Sequence, residues 1–95
     1  MPKLKSSPFT LGQVVATPGA LAALASSGQT PEALLTRHAQ GDWGNLGEED
    51  RRENDRSLVR GLRLLSAYAL PDGTTLWIIT EADHFATTLL LPDEY

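Results

Sequence analysis

The chain has 95 residues, 12 acidic and 8 basic, and a net charge of −4 at neutral pH. This length fits one small domain with a thin core, and the absence of cysteine excludes a disulfide framework, a cysteine-based zinc site and a thiol nucleophile. No apolar run approaches the roughly 20 residues that cross a bilayer, and no signal-peptide segment follows the first lysines. We therefore expect one cytoplasmic domain over residues 9–95, preceded by a flexible tail over 1–8 and needing no cofactor.

Two threonine–proline pairs predict two short helices in the first half of the chain. In each pair the threonine hydroxyl can cap the helix, and the proline can occupy the first helical position, where an N–H is not needed. The first helix is expected from Pro18 to about Ser26 and the second from Pro31 to about Gln40, each followed by a glycine that can end it. Residues 13–16, before the first helix, could form one short strand.

A third helix is predicted after the connection 41–44. Asn45 and Glu48 have the spacing of a reciprocal N-terminal cap, and an apolar stripe resumes at Leu58. Projecting this stripe back by one turn places Asn54 on the inward side, where a polar group must find a partner. Asn54 is therefore either a structural bracket or a residue of a functional site.

The last third of the chain has the composition of strands. Segments 62–70, 75–80 and 85–91 are rich in Leu, Ile, Thr and aromatic residues, and the polar turns 71–74 and 81–84 separate them. They predict a three-stranded antiparallel meander whose middle strand is covered on both faces, since it is apolar on both alternating sets. The whole pattern predicts an α+β fold, in which two or three short N-terminal helices pack on a C-terminal three-stranded antiparallel meander.

Charge is segregated along the sequence. Every lysine and arginine lies at or before Arg63, so the segment from Leu64 to Tyr95 carries five acidic side chains and no basic one. A surface of this sign repels phosphate, which makes nucleic acid an unlikely partner, and it suits a protein partner with a basic surface. The alternative is that the arginines of the third helix fold back over the acidic segment.

The densest group of reactive side chains lies in the second turn, at Glu81, Asp83 and His84. Two carboxylates and an imidazole could bind a divalent cation or share acid–base chemistry, with His38 of the second helix as a further candidate. This interpretation describes a small metal-dependent hydrolase or nuclease. The alternative is a solvated turn, with His38 as a buried histidine that makes a hydrogen bond.

A tryptophan stands between two glycines in the connection 41–44. An exposed indole at Trp43 would anchor a partner protein, whereas a buried indole would close one end of the thin core. Without a catalytic motif, we expect no catalytic residue and a protein-binding surface on a monomer or homodimer. The candidate contact residues are Asp42, Trp43, Asn54, Glu81, Asp83 and His84.

Several short strings of residues, spread over nearly the whole chain, resemble one family. The family consists of short, uncharacterised bacterial proteins described as plasmid-related and sometimes labelled as restriction–modification subunits. The resemblance implies a mobile-element or genomic-island setting and supplies no activity, and a basic residue common in the family at the position of His84 argues against a metal there. The strings are 9–12, 17–21, 41–44, 54–55, 65–68, 77–83 and 87–92.

The sequence therefore predicts a small, non-enzymatic interaction protein of a mobile genetic element. Its acidic sheet surface would contact a basic protein. The alternative, the metal-dependent hydrolase or nuclease, requires Glu81, Asp83, His84 and His38 to converge on one site.

Overall fold

Residues 9–95 form three helices and one four-stranded sheet in the computed structural model of the chain. The predicted tail over 1–8 lies outside these described residues. The α+β class is confirmed, with the helices preceding most of the sheet. The elements are β1 (Gln13–Ala16), α1 (Pro18–Ser27), α2 (Pro31–Ala39), α3 (Glu48–Arg60), β2 (Leu64–Ala69), β3 (Thr75–Thr80), β4 (Ala86–Leu90) and a 3-10 helix (Pro92–Glu94).

The sheet has the strand order β1-β4-β3-β2, so it has four strands with one parallel pair where the prediction has three antiparallel strands only. β2–β3 and β3–β4 are antiparallel, as the meander requires. β1 joins the free edge of β4 in parallel, with Gln13 opposite Ala86 and Ala16 opposite Leu89. The sequence could not show this pairing, because the three helices and two other strands separate β1 from β4, and a four-residue strand carries no mark of its partner.

The first two helices begin as the threonine–proline pairs predict. The Thr17 hydroxyl accepts a hydrogen bond from the Ala20 N–H at 3.1 Å, and the Thr30 hydroxyl accepts one from Ala33 at 3.3 Å. Each cap satisfies one of the N–H groups that a helix start leaves free. Helix α1 ends at Gly28, which has the left-handed conformation.

The predicted cap of the third helix is wrong. Helix α3 follows Gly47 and has no side-chain cap. The backbone N–H of Asn45 donates to the carbonyl of Ala67 at 2.6 Å instead, and the N–H of Ala67 donates to the carbonyl of Trp43 at 3.1 Å. The segment before α3 therefore extends the edge of β2 rather than preparing the helix start.

The core lies between the sheet and the first two helices. Leu24 of α1 and Leu34 of α2 pack on the sheet face that carries Tyr68, Ile78 and Leu89, which we call the helix-covered face. Burying each of these large apolar side chains contributes about 1.5–3 kcal/mol. A second cluster continues this core toward α3 and contains Phe9, Trp43 and Leu64, with Leu11, Leu46 and Leu58 against it.

The opposite face of the sheet is covered by the end of the chain. Ile79 and Leu90 are buried there, and Trp77 is half-buried. The ring of Tyr95 contacts the ring of Trp77 edge-on, with centroids 5.9 Å apart. Both faces of β3 are thus shielded, as its apolar composition predicts.

Candidate functional site

The turn between β3 and β4, residues 81–85, protrudes at one end of the sheet, and we call it the tip. Its backbone is fixed by hydrogen bonds from the Glu81 N–H to the Ala86 carbonyl at 3.1 Å and from the His84 N–H to the Glu81 carbonyl at 2.8 Å. The Asp83 carboxylate accepts from the Phe85 N–H at 3.0 Å. The Glu81 and Asp83 side chains are exposed, and Phe85 is 76% exposed. The tip therefore presents an aromatic ring and two carboxylates on an ordered backbone.

The residues at the start of β1 contact the backbone of the tip and hold it in place. The Gln13 N–H donates to the Phe85 carbonyl at 2.8 Å. Gly12 has a φ of +67°, and a Cβ at this position would lie 2.3 Å from the carbonyl carbon and oxygen of Phe85. Only glycine fits this close approach without moving the tip.

We expect Gly12→Ala to lower the free energy of unfolding by about 2 kcal/mol, because it adds both left-handed strain and a backbone clash. The matched control is Gly28→Ala, since Gly28 has a similar φ of +71° and open space around a new Cβ. The control should lose about 1 kcal/mol. Urea unfolding of both variants measures the difference, and equal losses would show that the approach to Phe85 is not tight.

The histidine of the tip, His84, does not form a metal-binding cluster with the two carboxylates. The His84 ring faces Phe9, with centroids 5.5 Å apart, and its Nε2 is buried without a hydrogen-bond partner in the described part of the chain. Among residues 9–95, no three histidine or acidic side chains lie close enough to hold a metal ion. The convergence that the hydrolase interpretation requires is not present in this geometry.

His38 lies at the centre of a buried hydrogen-bond network. Its Nδ1 is 2.5 Å from the Ser66 hydroxyl, and its Nε2 is 2.9 Å from the Thr80 hydroxyl. Thr80 continues to the Thr87 hydroxyl at 2.7 Å, and Thr87 donates to the Leu11 carbonyl at 2.7 Å. The network therefore connects α2 to the strands β2, β3 and β4 and to the segment before β1.

The final acceptor fixes the direction of the bonds from Leu11 back to the His38 ring. A carbonyl only accepts, so Thr87 donates to Leu11 and accepts from Thr80. The Thr80 hydroxyl, whose proton goes to Thr87, then accepts from the Nε2–H of His38. In a neutral ring Nδ1 is the acceptor, and Ser66 donates to it. The neutral ring therefore fits the network with a partner for each of these hydroxyls and for both ring nitrogens.

The environment of His38 keeps the ring neutral and inaccessible. The side chain is 0% exposed, and this burial lowers the pKa of His38 to about 4. The Phe9 ring lies between the two histidines, with its centroid 5.3 Å from that of His38 and 5.5 Å from that of His84. His38 is thus the buried histidine of the second interpretation, and the Ser66–His38 pair has no access to a substrate.

Trp43 is a core residue rather than an exposed anchor. It is 2% exposed, stacks on Phe9 with centroids 6.3 Å apart, and donates its indole N–H to Asp55 at 3.1 Å. Asp42, beside it, binds Arg37 at 2.7 Å, and this hydrogen bond lowers the pKa of the Asp42 carboxyl. Neither side chain offers a free contact group: one is buried, and the other is already paired.

Asn54 is a structural bracket. It is 5% exposed, and its amide donates to the Leu65 carbonyl at 2.5 Å while its oxygen accepts from the Leu65 N–H at 3.1 Å. The side chain therefore takes the place of a neighbouring strand at the edge of β2. Together with Trp43 and Asn45, which bind Ala67, it satisfies the backbone of that edge.

A groove of about 150 Å³ lies between α3 and β2. Ligand pockets for small organic molecules usually enclose about 300–1,000 Å³, so this groove is too small for such a ligand. It holds Asp50 and Glu53 on one side and Arg63 on the other. This groove is therefore not a small-molecule site and does not compete with the tip as a candidate functional site.

The acidic residues of the last third do not form one surface. Asp72 lies in the β2–β3 turn, at the opposite end of the meander from the tip. Glu94 turns back and accepts hydrogen bonds from the Thr17 hydroxyl at 2.5 Å and the Leu91 N–H at 2.8 Å. These contacts lower the pKa of the Glu94 carboxyl, the Thr17 bond most. The tip is the turn that combines two exposed carboxylates with the exposed ring of Phe85.

The arginines do not neutralise the acidic segment. Arg52 pairs with Glu48, and Arg56 pairs with Glu53, both within α3. Within residues 9–95, no ion pair joins an arginine to an acidic residue of the last third. The carboxylates of the tip thus form no ion pair with an arginine of residues 9–95.

Sequence reasoning missed Phe85, the residue that distinguishes the tip from an ordinary polar turn. The prediction makes it the first residue of the strand segment 85–91, a position that gives no indication of exposure, since aromatic residues in strands are usually half-buried. The positive φ of His84, +58°, redirects the chain immediately before it. A non-glycine residue in this conformation is uncommon and cannot be read from the sequence.

The comparisons with known proteins do not extend these findings. No family model, curated protein or solved structure matches the chain. No helix within residues 9–95 is both long enough and apolar enough to cross a membrane.

Proposed function

We propose that this protein is a non-enzymatic binding module whose tip contacts a basic protein partner in the bacterial cytoplasm. The observation that carries the proposal is the exposure of Phe85, together with the carboxylates of Glu81 and Asp83, in one turn with a fixed backbone. A mobile-element setting, which the family resemblance implies, is part of the same proposal.

The aromatic ring supplies apolar contact area. Phe85 is 76% exposed, although the chain has only two phenylalanines and buries the other, Phe9. Aromatic residues are enriched at the centres of protein interfaces, where they fill a recess of the partner. Because the hydrogen bonds of the tip already order its backbone, little conformational entropy is lost when a partner binds.

The two carboxylates supply orientation and choice of partner. Glu81 and Asp83 lie in the same turn as the ring, and no cation of residues 9–95 is paired with them. A partner with lysine or arginine around an apolar recess would match both features of the tip. Such charge complementarity mainly increases the association rate and excludes acidic competitors.

The test compares proteins that immobilised variants retain from a bacterial lysate, quantified by mass spectrometry. We expect the wild-type chain to retain a basic protein that both Phe85→Ser and the double variant Glu81→Lys/Asp83→Lys lose. Matched controls change similar residues elsewhere: Val59→Ser, which is 87% exposed on α3, and Asp72→Lys at the other end of the sheet.

Added salt should weaken retention by the wild type, because the contact depends on charge. Retention that survives both tip substitutions, or that the two controls abolish equally, would contradict the proposal. Failure to retain any protein in a salt-dependent manner would contradict it as well.

A further inference from the structure

We infer that two copies of this chain pair through the free edge of β1 and form one continuous antiparallel junction between their sheets. This inference concerns the outer edge of β1, whose first residue contacts the tip, and it does not rest on the proposed function. Three observations carry it: the difference between the two sheet edges, the outward backbone groups of β1 that no other element of residues 9–95 binds, and the distribution of charge.

The two edges of the sheet are treated differently by the chain. At the β2 edge, Asn54 binds both backbone groups of Leu65, and the segment before α3 binds both backbone groups of Ala67. This edge is closed to another strand. At the β1 edge, Val14 and Val15 are 42% and 43% exposed, so the helices leave the strand open on both of its faces.

The backbone of β1 offers four hydrogen-bonding groups outward. The N–H groups of Gln13 and Thr17 point to β4, where they bind the carbonyls of Phe85 and Leu89 at 2.8 and 3.0 Å. Because backbone direction alternates along a strand, the N–H and C=O groups of Val14 and Ala16 point away from the sheet. None of the described residues outside β1 and β4 bonds to them. An unprotected edge of this kind is a template for another strand.

The charge pattern favours a copy of the same chain as the second strand, since β1 itself carries no charge and the Glu94 carboxylate at its end is held by the Thr17 hydroxyl. Residues 9–31, which include β1 and α1, contain no charged side chain, whereas the chain as a whole carries −4. Two identical acidic molecules repel one another least where neither carries charge. A basic partner would gain nothing at this edge and is better matched to the tip.

One register uses all four outward groups. A two-fold axis that passes beside Val15 places Val14 of each copy opposite Ala16 of the other, and each of these pairs exchanges two backbone hydrogen bonds. Val15 then lies directly opposite its counterpart in the second copy, in a pair without hydrogen bonds, where side chains come closest. The interface is self-complementary, as two-fold symmetry requires.

The test introduces a charge of either sign at Val15. The molecular mass of each variant is measured by sedimentation equilibrium from micromolar to millimolar concentration. The wild-type mass should rise from the 10.3 kDa of one chain toward twice that value. Val15→Lys and Val15→Glu should each remain monomeric, because like charges would face each other across the axis. An equimolar mixture of the two variants should regain the doubled mass, which also shows that both are folded.

The control variant Val59→Lys adds the same charge at an exposed site of α3 and should associate like the wild type. A wild-type chain that stays at 10.3 kDa up to millimolar concentration would overturn the inference. So would a Val15→Lys variant that associates as well as the wild type, or a variant mixture that remains monomeric.

Discussion

The free energy of unfolding is expected to fall by about 3 kcal/mol as the pH is lowered from about 7 to about 4 through the protonation of His38 alone. The cause is the burial of the ring, which penalises its charged form. Protonation would also add a second N–H, at Nδ1, where Ser66 donates to the neutral ring. The pH dependence of stability therefore measures how strongly the fold keeps His38 neutral.

The sign follows from the two pKa values. The pKa of His38 is about 4 in the folded protein and has the ordinary value of 6.5 in the unfolded chain. As the pH falls below 6.5, the unfolded chain takes up the proton first. The contribution is complete above the unfolded pKa and is lost as the pH falls toward the folded pKa.

The variant His38→Gln isolates this contribution from that of the carboxylates. A glutamine side chain carries an acceptor oxygen and an NH2 donor group, so it can accept from Ser66 and donate to Thr80, but it does not titrate. Urea unfolding at a series of pH values should give the variant a pH dependence weaker by about 3 kcal/mol over the same range. An unchanged pH dependence in the variant would show that His38 is not held neutral.

The second large effect is expected at Asn54. Replacing it with alanine leaves the N–H and C=O of Leu65 without their partners at the β2 edge. A backbone group left unsatisfied in a buried position costs about 1–3 kcal/mol, so we expect Asn54→Ala to lose about 2–4 kcal/mol of unfolding free energy. The loss should be accompanied by faster hydrogen exchange at the Leu65 amide.

Val59→Ala is the control for this effect. Val59 lies on the same helix and is 87% exposed, so its truncation should change the stability by less than about 0.5 kcal/mol. If Asn54→Ala lost no more than this control, water would replace the side chain at the strand edge without cost. The description of Asn54 as a bracket would then be wrong.

Local signals in the sequence predicted local structure. The threonine–proline pairs place the starts of α1 and α2, because capping depends only on residues within one turn. The inward position of Asn54 follows from helical periodicity, and its need for a partner follows from burial. The strands β3 and β1 have the predicted bounds, Thr75–Thr80 and Gln13–Ala16.

Long-range pairing decided the rest. The parallel addition of β1 to β4 and the use of Asn45 at the β2 edge both depend on residues distant in the sequence. Neither has a local pattern, and the Asn45–Glu48 spacing even favoured a different role. The choice between competing local and tertiary partners is made by the whole fold.

The candidate site was predictable in its charges but not in its aromatic residue. Glu81 and Asp83 stand in an evident turn, and their exposure follows from that position. Trp43 was the more conspicuous aromatic residue in the sequence, since two glycines flank it. In the structure its indole is buried against the rings of Phe9 and His38. Phe85 is exposed because the backbone turns at His84, a conformation that the sequence does not announce.

The central claim is that the exposed tip, and not the buried histidine network, makes the functional contact. Site-specific photo-crosslinking tests it most directly, with a photoreactive phenylalanine analogue at position 85 and, as the control, at position 59 on α3. We predict that position 85 crosslinks to a basic protein in the bacterial cell, that position 59 does not, and that Glu81→Lys/Asp83→Lys removes the crosslink. Equal crosslinking from both positions, or a crosslink at position 85 that survives the charge reversal, would contradict the claim.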